Sequence, residues 1–108
     1  PDAARKSWLK GHLNPEGVLV IDAGAASALQ GGASLLPIGV KGVNGQFERG
    51  AALTLETEDG TVIAKGITAY SAADIRAIAG QHTGNVAEIL GLDRRPAIIH
   101  RNDIALVD

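Results

Sequence analysis

Glycine fills 14 of the 108 positions, about 13% where roughly 7% is typical, while aromatic residues supply only 3%. A chain interrupted this often by the residue most tolerant of positive φ, with few large side chains to anchor packing, is restricted to short elements joined by many tight turns. Long helices and a large aromatic core are both excluded. A chain of this length is one domain on the usual scale of about 100–200 residues, so its single core must be small and a two-domain enzyme does not fit.

Apolar residues make up 45% and charged residues 20%, and ten Lys plus Arg against twelve Asp plus Glu leave a net charge of -2, which argues for a folded chain rather than a disordered one. Cysteine is absent. Disulfides, thiolate zinc sites and cysteine nucleophiles are thereby removed, and a reducing compartment fits. No window approaches the roughly 18 consecutive apolar residues of a membrane span, and no secretory pattern opens the chain, so a cytoplasmic protein without a membrane partner is expected. The chain begins at Pro1 and contains no Met, which points to a piece of a longer polypeptide.

Residues 2–10 read as a short basic helix or linker with Arg5, Lys6 and Lys10 around Trp8 and Leu9, broken at Gly11 and again by Asn14-Pro15-Glu16-Gly17. Val18 to Ile21 is an apolar, β-branched run ending at Asp22, hence a buried strand. Ala23 to Gln30 follows as an Ala-rich helix stopped by Gly31-Gly32. Leu35 to Val43 reads as a strand interrupted by Pro37, which places it at an edge or a bulge. Ala51 to Glu58 alternates at period two, and Asp59-Gly60 predicts a primed turn into a partner strand over Thr61 to Ala69. Ser71 with Asp74 opens a helix carrying Ile75, Ile78 and Ala79 and ending at Gly80, and Asn85 with Glu88 predicts a second capped helix ending at Gly91. Pro96 to His100 and Ile104 to Val107 flank Arg101-Asn102-Asp103 and read as a closing hairpin. About six strands and three or four short helices make an α+β domain, mainly β, with a small barrel-like form.

Little of this carries chemistry. The phosphate-binding glycine-lysine loop is missing, since Gly39-Val40-Lys41-Gly42 lacks its spacing, and Ala23-Gly24-Ala25 has too few glycines for a dinucleotide turn. A kinase would need such a cradle and magnesium-binding carboxylates. His12, His82 and His100 lie 70 and 18 positions apart, unlike paired metal ligands on one helix face. Ser71 and Ser34 could be proposed as nucleophiles, but the first reads better as a helix N-cap and the second as a turn residue. Catalytic, cofactor-binding and metal residues are therefore expected to be none. Asp93-Arg94-Arg95, Arg101, Lys41 and Arg49 offer a basic patch suited to phosphates, against a reading as solvated charges beside a turn. Only Trp8, Phe47 and Tyr70 are available for base stacking.

Several collinear stretches resemble the C-terminal PUA domains of bacterial glutamate 5-kinases. They are Arg5-Lys6-Ser7-Trp8, Ser34-Leu35-Leu36-Pro37-Ile38-Gly39-Val40, Val43-Asn44-Gly45-Gln46-Phe47-Glu48-Arg49-Gly50, Tyr70-Ser71 with Asp74, Ile78-Ala79-Gly80, Glu88-Ile89-Leu90-Gly91 and His100-Arg101-Asn102-Asp103. The resemblance implies a PUA-like pseudo-barrel over 13–108 and a junction over 1–12 leading from a kinase domain of the same polypeptide. That domain would hold ATP and magnesium and transfer the γ-phosphoryl group to glutamate in proline biosynthesis. It implies no cofactor in this chain, and a homo-oligomer as a possible state of the parent.

In RNA-modifying relatives the PUA surface that grips RNA lies around the first helix, the glycine loop after it, and the second and last strands. The matching positions here are Gln30, Gly31, Gly32, Ala33, Ser34, Lys41 and Arg101. Ala23 to Gln30 contains no basic residue, so any RNA binding is expected to be weak. The reading is a noncatalytic accessory domain, regulatory or architectural, with an RNA-binding module as the alternative and a self-sufficient small enzyme third.

Overall fold

The computed structural model describes residues 14–91 and 97–107. Five strands, β1 (Gly17–Ile21), β2 (Val40–Asn44), β3 (Ala52–Thr57), β4 (Val62–Ile67) and β5 (Ile104–Leu106), form one sheet in the order β2-β1-β3-β4-β5. Three helices, α1 (Ala23–Gln30), α2 (Ala72–Ile78) and α3 (Thr83–Leu90), and two 3-10 turns, Pro37–Gly39 and Arg101–Asp103, complete the described elements. The α+β, mainly β character agrees with the sequence reading, with five strands in place of about six.

The centre of the sheet is the parallel pair β1 and β3, matching Leu19 with Leu55 and Ile21 with Thr57. Leu19, Ile21, Leu53 and Leu55 are fully buried, as a strand with a neighbour on both sides requires. β2, β4 and β5 add antiparallel to their neighbours. From the end of β4 the backbone ladder continues, because the Ala69 N–H donates to Ile98 O at 2.9 Å, while across an isolated bridge between Leu35 and Ile99 the Leu35 N–H donates to Ile99 O at 2.9 Å and the Ile98 N–H donates to Leu35 O at 2.8 Å. Residue 35 precedes β2, so the ladder returns toward the opposite edge and closes the pseudo-barrel. α2 lays Ala72, Ile75 and Ile78 on the core, α3 adds Val86, and α1 adds Leu29.

Four local expectations change. The run from Leu35 to Val43 is not one strand: Pro37, with φ preset and no N–H to satisfy, starts a 3-10 turn, and β2 begins only at Val40, at the sheet edge. The Asp59-Gly60 turn is not a primed one. No described non-glycine residue has positive φ, whereas Gly60 lies at +89°, and the Gly60 N–H reaches Thr57 O, giving a three-residue loop that ends in glycine. Asn85 lies inside α3, not at its start; the helix opens at Thr83, and Asn85 Nδ2 donates to Gln81 Oε1 at 3.4 Å. The final hairpin does not form either. β5 pairs with β4, Arg101–Asp103 is a 3-10 turn, and His100 caps it by accepting from the Asn102 N–H at 3.1 Å. The junction over 1–12, Trp8, and the charged run Asp93-Arg94-Arg95 with Pro96 lie outside the described residues.

Ser71 behaves as read, its Oγ accepting from the Asp74 N–H at 3.2 Å. Ser71→Ala is expected to cost about 1 kcal/mol by leaving that first-turn amide without its acceptor, seen as a lower denaturation midpoint. At Gly66 an added Cβ would stand 2.9 Å from Ile99 Cγ2 and 3.0 Å from Asp103 O, so the β4–β5 seam tolerates no side chain there. Gly66→Ala is expected to lower stability by about 1–3 kcal/mol through overpacking, checked by the same unfolding measurement. In the hairpin loop the Thr57 hydroxyl and the Thr61 N–H donate to Asp59 and hold its carboxyl below the ordinary range. A depressed carboxylate contributes stability above the ordinary range and loses it as pH falls through the lowered value. Thr57→Val should therefore move the Asp59 titration upward, as read by NMR.

Candidate functional site

The region between α1 and the Pro37–Gly39 turn combines a concave shape with part of the predicted loop. Its geometry begins at Asp22, which leaves β1 in extended conformation and turns its carboxylate onto the Ala25 N–H at 2.7 Å, capping α1. The Asp22 N–H donates to Gly39 O at 3.0 Å, drawing the 3-10 turn against the helix start. That approach needs glycine, since a Cβ on Gly39 would stand 2.5 Å from Ala25 Cβ. At the far end of α1, Gly32 at φ +91° lets the Ala33 N–H reach Ala28 O and its own N–H reach Leu29 O, the paired bonds of a Schellman motif.

Two further ties hold the exit of the loop. Ser34 Oγ accepts from the Arg101 N–H at 2.8 Å, and Leu35 is bridged to Ile99. Ser34 is thus an anchor for the last 3-10 turn, a use that its place in the sequence does not disclose. The result is a groove of about 370 Å³ whose lining includes Asp22, Ala25, Ala28, Ala33, Leu36 and Ile38. Leu36 and Ile38 stand 41% and 43% exposed, while Leu35 and Pro37 between and beside them are buried.

Of the seven residues expected on an interaction surface, Ala33 and Ser34 line this groove, and Arg101 is joined to it through its backbone. Gln30, Gly31 and Gly32 are exposed at the adjoining end of α1. Lys41 is exposed on the edge strand β2 and is not part of the groove lining. Asp22, Gly39, Leu36 and Ile38 were not singled out by the sequence reading. Asp22 carried a usable signal, an Asp directly before an Ala-rich helix; the other three did not.

Cations are sparse around this site. The described residues hold five, Lys41, Arg49, Lys65, Arg76 and Arg101, against nine Asp or Glu, and none of the five lines the groove. Arg76 is engaged at β2, where Nη2 donates to Gly45 O at 2.8 Å and Val43 O at 3.4 Å. Among the described residues no three His, Asp or Glu side chains gather in a manner that would hold a metal ion. No described helix is long and apolar enough to cross a membrane. A second depression, lined by Glu16, Gln46, Phe47, Glu48 and Arg49 with their neighbours, lies in the loop between β2 and β3 and mixes two carboxylates with one guanidinium.

Comparison with known proteins agrees with this architecture. Glutamate 5-kinase of Brucella anthropi is 53% identical over 106 residues, covering 98% of this chain and 28% of that protein. The chain therefore spans little more than a quarter of the length of the curated relatives it matches. Among solved structures, a PUA domain from Aeropyrum pernix, crystallised as a tartrate complex, aligns with a TM-score of 0.59 at 29% identity over 79% of this chain and 41% of that one. The archaeal box H/ACA sRNP Nop10-Cbf5 complex aligns with a TM-score of 0.56 at 19% identity, over 84% of this chain and 26% of the other, a likeness of fold alone. The PUA domain family model matches residues 17–90, from the first residue of β1 to the last of α3, and the chain belongs to the PUA domain family.

Proposed function

We propose that this chain is a noncatalytic accessory domain of a glutamate 5-kinase and acts on the kinase part of the same polypeptide through protein contacts. The observation that carries the reading is the 53% identity running through 98% of the chain, against 28% of the relative. The kinase part would hold ATP, magnesium and glutamate and would carry the phosphoryl transfer, and the domain would work with it in the cytoplasm. A domain without a phosphate cradle or a gathered set of carboxylates alters rate only by shifting the conformations or oligomers of the part that has them.

The second reading, an RNA-binding module, draws on the likeness of fold to a protein in a ribonucleoprotein complex. Of the surface expected for it only Lys41 and Arg101 are cations and neither lines the groove, and the electrostatic part of nucleic-acid affinity comes from Lys and Arg contacts with phosphates. Generic RNA is therefore expected to bind only weakly, with affinity falling steeply as salt rises; submicromolar, sequence-selective binding near physiological salt would bring this reading forward.

Purified alone, the chain is expected to consume no ATP in the presence of glutamate, and turnover that survives repurification would refute the noncatalytic assignment. Deleting the domain from the parent is expected to leave a core that still phosphorylates glutamate but responds differently to magnesium, proline or enzyme concentration in steady-state kinetics. A folded core inactive under all these conditions would mean that the domain completes the active site. Activity with every response unchanged would mean that the domain serves a separate partner.

A further inference from the structure

We propose that the groove between α1 and the Pro37–Gly39 turn seats an apolar segment from the remaining part of the parent polypeptide. The inference rests on the accessory-domain reading and adds to it the surface used and the chemistry of what it meets.

The chemistry of the lining selects the class of occupant. Ala25, Ala28, Ala33, Leu36 and Ile38 offer hydrocarbon, and the one charged residue, Asp22, is a carboxylate already committed to the Ala25 N–H. α1 itself, Ala23–Gln30, has no charged residue. A phosphodiester or an acidic peptide entering here would meet an anion and no cation among the described lining residues, and would lose hydration without a compensating pair there. Apolar side chains meet no such cost. They would bury Leu36 and Ile38, two of the five large apolar side chains that stand exposed among the described residues.

The walls are also fixed before anything binds. The close contact of Gly39 with Ala25, the Schellman motif at Gly32, the bond from the Arg101 N–H to Ser34 and the Leu35–Ile99 bridge hold both sides in place. An occupant would therefore pay little for ordering the site.

Size decides between a tethered occupant and a free one. Ten residues line the groove, whereas a stable interface between free partners engages roughly 20–30 residues a side. A contact confined to this groove would not by itself hold a second copy or a diffusing protein, but a segment on the same polypeptide is presented at an effective concentration of about millimolar, enough to fill it. The curated relatives are more than three times as long as this chain, so on the proposed reading ample polypeptide exists to supply the segment.

Hydroxyl-radical footprinting of this chain alone and of the intact parent, read by mass spectrometry at single residues, tests the proposal. Val62 and Val107, exposed to a similar degree at 40% and 42%, serve as references outside the groove. The expected result is that Leu36 and Ile38 are oxidised in the isolated chain and protected at least threefold in the parent, independently of protein concentration, while Val62 and Val107 change less. Ile38→Glu in the parent should restore oxidation of Leu36, with folding of the same variant checked on the isolated chain. Equal oxidation in both proteins would overturn the proposal. Protection that vanishes on dilution would overturn it in favour of a second copy, and protection of the isolated chain by a single-stranded uridine 20-mer near physiological salt would overturn it in favour of RNA. The deletion kinetics fail separately: altered effector response with Leu36 unprotected would keep the accessory reading and remove this groove from it.

Discussion

The parallel pairing of β1 with β3 is the constraint on which the rest of the molecule depends. Parallel neighbours cannot be joined by a tight turn, so a crossover of a dozen or more residues is needed to carry the chain back to the start of the second strand. Here residues 22–51 make that return and contain α1, the glycine loop, the first 3-10 turn and β2. The candidate site is built wholly within this connection. Its helix begins where β1 ends, its far wall turns the chain toward β2, and the two are brought into register because β2 must reach the free side of β1.

The same constraint separates what was legible in the sequence from what was not. β1, α1, α2 and the β3–β4 pair are marked by signals inside a few residues: a β-branched run, a glycine stop, Ser71 with Asp74, and an alternating stretch before Asp59-Gly60. The parallel neighbour of β1 and the attachment of β5 to β4 are settled by contacts far apart in the chain, for which no local pattern exists. The closing hairpin was misread for that reason, since two apolar runs around a polar turn look alike whether they pair with each other or with a third strand. Asn85 illustrates a narrower ambiguity. Its spacing from Glu88 satisfies a capping pattern, but the helix starts at Thr83, and Asn85 lies in its first turn beside the buried Val86.

The site was half legible. The loop from Gln30 to Ser34 could be placed by its glycines, and Ser34 and Arg101, 67 residues apart, do meet. The exposure of Leu36 and Ile38 has no local sign, because residues 35 to 40 are apolar apart from Gly39 and alternation does not say which face is buried. Only the 3-10 turn at Pro37, with Leu35 bridged to Ile99 on one side and the Gly80 N–H donating to Pro37 O at 2.7 Å on the other, decides that Leu35 and Pro37 point inward. Leu36, between them, and Ile38, after Pro37, are then left in solvent at the groove mouth.

A PUA scaffold fixes the shape of this region without fixing its chemistry, which is why likeness of fold is weak ground for choosing a partner. The bonds that form the groove come from the backbone, from Asp22 and from Ser34, and the packing demand at its floor is only that Gly39 and Ala25 stay small. Side chains at the rim, such as Ala28, Ala33, Leu36 and Ile38, enter none of those bonds and are free to change without disturbing the walls. Cations at such positions would make the same groove a seat for phosphates; hydrocarbon makes it a seat for a polypeptide side chain. With the chain's five other Lys and Arg in 5–10 and 94–95, outside the described residues, the described surface bears nine acids against five bases, and the groove itself bears none of the five. The choice of partner class is thus a matter of rim side chains, on a frame that would serve either.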